Sequence, residues 1–247
     1  RMNLAMRITI QMNQMTQKMK NIQEDERQFK LFESKWNDMT KQDTTFFKHN
    51  LLGDWLSNGT MAQELLKFSK KPFYNRKCRK LEFNFAQHIA TTFLGIKLKQ
   101  NGQWTTLFGE SLVKYTYDSK HNQVNTKPPR NTYKFNNKSL QPDWMTTNGE
   151  NTYFKEVKTR TYSVSGTAGE KITHVPIKYS SLLSEHNKMD VVCVGFQEHE
   201  AKEMHILPTK DENNEGAPQI PAFIKDQVEL WGKYNVRFVG LSTLYNS

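Results

Sequence analysis

Apolar positions in the first forty residues recur at helical steps. Met15, Met19, Ile22, Phe29, Phe32 and Trp36 lie three, four or seven residues apart, which predicts one long helix over residues 8–40 with an apolar stripe beside the mixed charges of Gln23 to Lys30. Such a stripe serves either packing on the chain's own domain or a dimerisation arm. Residues 46–68 continue the helical period, broken near Asn58-Gly59, with Thr60 placed to cap the turn that carries Leu65, Leu66 and Phe68. Lys67 to Lys80 reads as a basic loop, and Leu81, Phe85, Ile89 and Phe93 predict a helix over 78–94 ended by Gly95. Ile96–Leu98 and Gln103–Phe108 read as short strands around Asn101-Gly102, followed by a long polar loop over 118–138.

The second half changes period. Asn148-Gly149, between Trp144 and the run Tyr153, Phe154, Val157, signals a hairpin with a two-residue turn. Thr159–Val164 prolongs its second strand, and Ser165–Lys171 opens a crossover helix that continues through Lys178, Tyr179, Leu182 and Leu183. Met189–Phe196, MDVVCVGF, is a continuous β-branched run suited to a strand buried on both faces. Met204–Leu207 reads as an edge strand, Asp211–Pro221 as a loop, Phe223–Trp231 as a helix and Val236–Leu241 as a final strand. The expected fold class is α/β (α+β), a central mixed β-sheet flanked by helices. A helical N-terminal region, 1–77, would precede a core over 78–247.

Strand alternation gives the hairpin its chemical content. Glu156 and Lys158 are two apart and project from one face while Val157 enters the core, and Asp143 lies across the hairpin. Two carboxylates within reach of one hard divalent cation, with a lysine alongside, suit a metal-dependent phosphodiesterase.

Pro142-Asp143 followed by Glu156-Val157-Lys158 resembles the PD-(D/E)xK signature of the restriction-endonuclease-like nucleases. The continuation EVKTRTYSVSGTAGEKI, Glu156 to Ile172, is similar to segments of type II restriction endonucleases of bacteria and large DNA viruses. The resemblance covers about residues 78–200 and implies a restriction-endonuclease-like core. It further implies Mg2+ held by Asp143, Glu156 and the carbonyl of Val157, with Lys158 orienting or deprotonating the nucleophile or stabilising charge. In such nucleases an acid on a helix before the sheet often joins the metal centre. Glu82, on the same face as Phe85 and Ile89, is the candidate, and Glu110 is its rival.

The implied activity is sequence-specific, magnesium-dependent cutting of double-stranded DNA at a short palindrome, leaving 5′-phosphates, within a restriction-modification system. Cutting both strands of a palindrome implies a homodimer. Alternatives are a repair, recombination or structure-selective nuclease on the same core, or a DNA-binding protein without catalysis.

Composition agrees with a polyanionic partner. The formal charge is +10 and the pI about 9.4, and basic chains favour nucleic acid. Lys70, Lys71 and Arg76 in the basic stretch, with Phe68, Phe73 and Tyr74 interleaved, suit phosphate contact and base stacking. Arg130, Arg160 and Lys171 are further DNA-contact candidates, as are Ser165 and Thr167, whose turn has backbone N–H groups able to take a phosphate.

Cys78 and Cys193 are the two cysteines, without zinc spacing, and imply a reducing, intracellular compartment, and the resemblance implies a cytoplasmic protein of bacterial or viral origin. His186, His199 and His205 have no i, i+4 spacing and read as surface or core residues. No apolar run reaches the length of a membrane span.

Overall fold

The computed structural model describes residues 4–42, 60–95, 97, 104–120, 123–160, 162, 170–208 and 220–246. Two compact units divide the chain, Arg1–Asp43 and Thr44–Ser247. The first is dominated by helix α1, Leu4–Gln42, as its apolar period predicts. Residues 77 and 78, the expected boundary, lie inside one helix of the second unit.

In that unit α2, Thr60–Ser69, and α3, Pro72–Ile89, are joined by only two residues, Lys70 and Lys71. The basic stretch is therefore mostly helical rather than a loop. Pro72 sits at the start of α3, where its missing N–H costs nothing. A π-helical turn, Ala90–Leu94, ends the element at Gly95, whose φ is +63°.

The short strand expected over Gln103–Phe108 is absent. Trp104–Lys120 is helix α4, which also takes up the start of the expected loop. Ile96, Leu98 and Asn101-Gly102 lie outside the described residues. The rest of the polar segment holds a two-stranded hairpin, β1 (Lys134–Phe135) and β2 (Lys138–Ser139), and a bridge from Thr126 to Met145.

The central sheet is mixed and four-stranded, in the order β3-β4-β5-β6: Trp144–Thr147, Thr152–Arg160, Asn187–Gly195 and Val236–Gly240. β3 and β4 form the expected antiparallel hairpin, with Thr147 opposite Thr152, so its loop has four residues rather than two. Gly149, at φ +89°, takes the left-handed conformation there.

β4 and β5, and β5 and β6, run parallel. Parallel neighbours need crossovers. Helix α5, Glu170–Tyr179, supplies the first, and α6, Phe196–Glu203, with α7, Ala222–Lys233, the second. The continuous apolar run forms β5, buried from Met189 to Val194, but Phe196 already belongs to α6. Met204–Leu207 is a turn after α6, not an edge strand, since its backbone N–H groups bond back to α6 carbonyls. Helix α8, Leu241–Asn246, follows β6.

One sheet face packs Phe154, Met189, Val191, Cys193 and Val236 against Ile172, Val175 and Tyr179 of α5 and Trp231 of α7. The other face carries an unusual buried charge. Lys155, fully buried, donates to Thr146 Oγ1 at 2.7 Å and lies over the Tyr117 ring at 4.1 Å. Asp190, its register partner on β5, takes two 3.0 Å hydrogen bonds from Arg237. Burial lowers the Lys155 ammonium to about 8, although Asp190 works the other way. Among the described residues no helix is long and apolar enough to cross a membrane.

Candidate active site

Asp143 immediately precedes β3, where the hairpin brings it beside the middle of β4. Its Oδ2 accepts the Val157 backbone N–H at 2.8 Å, which fixes the carboxylate against the strand. Alternation along β4 puts Glu156 and Lys158 on a common face, as expected, and their side chains meet at 2.8 Å. Val157 is buried.

The crossover helix completes the surroundings of Glu156. The Tyr179 hydroxyl donates to Glu156 Oε2 at 2.7 Å, and Lys178 Nζ lies 3.3 Å from Oε1. Tyr179 is fully buried; burial and then the Glu156 charge push its phenol well above the ordinary range, so the hydroxyl keeps its proton and remains a donor. Sequence periodicity treated Lys178 and Tyr179 only as helix positions. No local pattern marks them, because the strand they meet lies 22 and 23 residues away.

A third acid arrives from α4. Gly109 makes its approach possible: a Cβ there would stand 2.8 Å from Thr159 Cγ2 and 3.1 Å from Val157 Cγ1. The helix thus rests directly on β4, and the next residue, Glu110, reaches Asp143. Lys127 pairs with Glu110 Oε2 at 3.2 Å and lies over the Trp144 ring at 4.5 Å. The Asp143 carboxyl is raised to about 7, first by burial, then by the charge of Glu156, and further by Glu110, against the lowering effect of the Val157 N–H. Carboxylates whose mutual repulsion raises one of them in this way form an oxygen donor set that a hard divalent cation relieves. Asp143, Glu156 and Glu110 therefore fit such an ion chemically. They are not drawn into a finished shell, and among the described residues no group of three or more His, Cys, Asp or Glu is gathered closely enough to count as one.

Of the two rival acids, Glu110 rather than Glu82 acts on Asp143. Glu82 is buried on α3, where its Oε1 accepts the Tyr162 N–H at 2.8 Å, fastening the chain just beyond β4. Arg160 is bound to Glu200 of α6, with its guanidinium 4.9 Å from the Phe196 ring, and so is held within the protein. Lys70, Arg76, Arg130 and Lys171 are exposed, and Lys71 is half-buried. Ser165 and Thr167 lie outside the described residues. Among known proteins, no family model, no curated protein and no solved structure matches the chain.

Proposed function

We propose that this chain is a magnesium-dependent DNA endonuclease with a restriction-endonuclease-like core, acting as a type II restriction enzyme on double-stranded DNA. The observation that carries the reading is the hairpin that sets Asp143 beside Glu156 and Lys158, with Glu110 brought against Asp143 by α4.

Asp143 and Glu156, with the Val157 carbonyl and Glu110, would hold the ion, which when bound supplies Lewis-acid polarisation of a phosphate and a more acidic water. The chain's own groups do the rest. Lys158 is paired with Glu156 at 2.8 Å, and an ammonium beside that carboxylate can stabilise negative charge developing on a phosphate. Its ion pair with Glu156 suits it to electrostatic stabilisation rather than proton abstraction. Tyr179 keeps Glu156 oriented. The exposed Lys70, Arg76, Arg130 and Lys171 supply phosphate contacts. Two copies related by a twofold axis would cut the two strands of a palindrome and leave 5′-phosphates.

The test is incubation of the purified protein with unmethylated duplex DNA of known sequence, with magnesium and with EDTA. Discrete fragments that require magnesium are expected, and sequencing their ends gives the site. A magnesium-dependent smear moves the reading to a repair or structure-selective nuclease. Salt-sensitive binding with intact DNA under every condition leaves a DNA-binding protein without catalysis.

A further inference from the structure

The N-terminal half of α1 presents an apolar stripe to solvent. Ile8, Met12, Met15, Met19 and Ile22 are each 48 to 66 % exposed and follow one another at steps of 4, 3, 4 and 3. Contiguous exposed apolar side chains of this extent mark an interaction surface.

The spacing says what kind. Ile8, Met15, Ile22, Phe29 and Trp36 recur every seven residues over four heptads. A straight α-helix drifts by about 20° per heptad against that repeat, so a face that keeps it is matched to a helix wound around another. With Ile8, Met15 and Ile22 at d, Met12 and Met19 fall at a. Further on, the a positions become Glu26 and Glu33, and the d residues Phe29 and Trp36 are themselves buried. Among the described side chains the exposed seam therefore runs over residues 8–22.

We infer that this seam pairs with the same seam of a second copy of the chain, as a short parallel two-stranded coiled coil. Flanking residues put no charge clash in the way of a like partner in register. The e positions are Thr9, Thr16 and Gln23, and the g positions Gln11, Lys18 and Asp25. A parallel pair then sets Gln11 opposite Thr16 and Lys18 opposite Gln23, and no like charges face each other. The inference stands on the helix alone and does not depend on the nuclease reading.

The full chain is examined by sedimentation equilibrium at micromolar concentrations, beside the double variant Met15→Glu/Met19→Glu and the outer-face control Gln17→Glu. The wild type and control are expected to be dimers, with association at least about a hundredfold weaker in the double variant, which places four carboxylates in the seam. The substituted side chains are exposed, so circular dichroism and the unfolding midpoint should hardly change.

Orientation is read separately from Ile22→Cys, at one end of the seam, since the two native cysteines are buried. Oxidation should join two copies through this d position, as a parallel register requires. A wild type that stays monomeric, a dimer that survives the double variant, or a seam that remains single in solution and instead binds anionic lipid vesicles would overturn the inference. Magnesium-dependent cleavage, assayed on the same samples, fails or persists independently.

Discussion

The repulsion that suits the carboxylate cluster to a cation should destabilise the metal-free protein, and Asp143→Asn exposes that cost. The asparagine Oδ1 can still accept the Val157 N–H while the charge next to Glu156 and Glu110 is gone. Raising the Asp143 carboxyl from 3.8 to about 7 is roughly three units. At 1.36 kcal/mol per unit, the charged form is disfavoured in the folded state by about 4 kcal/mol.

The sign follows from linkage. The folded protein holds this proton more tightly than the unfolded chain, so stability is greatest below the unfolded value and falls as pH rises toward 7. In EDTA at pH 8, urea unfolding should show Asp143→Asn more stable than wild type by about 2–4 kcal/mol, with the gap closing near pH 4. Saturating magnesium should reverse the order, because ligand binding to the folded state stabilises the wild type and not the variant. Equal or lower stability of the variant at pH 8 in EDTA would refute the reasoning.

Three more substitutions probe the helix that delivers Glu110, the buried lysine and the basic face of α3. Gly109→Ala places a methyl within 3 Å of Thr159 and should lift α4 from β4, costing about 1–3 kcal/mol in denaturant unfolding and reducing cleavage more than the stability loss explains. Lys155 has its folded-state value lowered to about 8, so between pH 8 and 9.5 the unfolded chain binds the extra proton and stability should rise, by about 2 kcal/mol. Lys155→Met should flatten that rise, and an unchanged pH profile would remove the buried charge from the account. Arg76→Ala, on the exposed face of α3, should weaken binding of unrelated duplexes alike and lower the slope of log affinity against log salt by about 0.9, as for one lost phosphate contact.

Local patterns made much of the fold legible. The stripe of α1, the run that became β5 and the alternation around Asn148-Gly149 are each written within one continuous stretch of chain, and each formed the expected element. Asp143, Glu156 and Lys158 were legible as a group for the same reason, since one hairpin joins them.

α4 was not. Gly109 inside its apolar stretch argues locally against helix, and its purpose appears only when the helix rests on Val157 and Thr159. The meeting of Glu110 with Asp143 depends on that docking, which periodicity cannot express. Glu82 is a carboxylate on an apolar face that needs a partner, and the Tyr162 backbone N–H, 80 residues on, is one that local periodicity cannot foresee. Lys155 breaks the rule that lysines stay at the surface, because Thr146, the Tyr117 ring and the charge of Asp190 receive it from three other elements.

A divalent cation bound at the cluster around Asp143 is what the proposed activity requires. Titrating manganese into the protein at pH 8, followed by electron paramagnetic resonance and with magnesium as competitor, asks this without DNA. Saturable binding that magnesium displaces, weakened at least about tenfold in Asp143→Asn and in Glu156→Gln, is the predicted result. Binding that is absent at millimolar manganese, or unaffected by both substitutions, would contradict it.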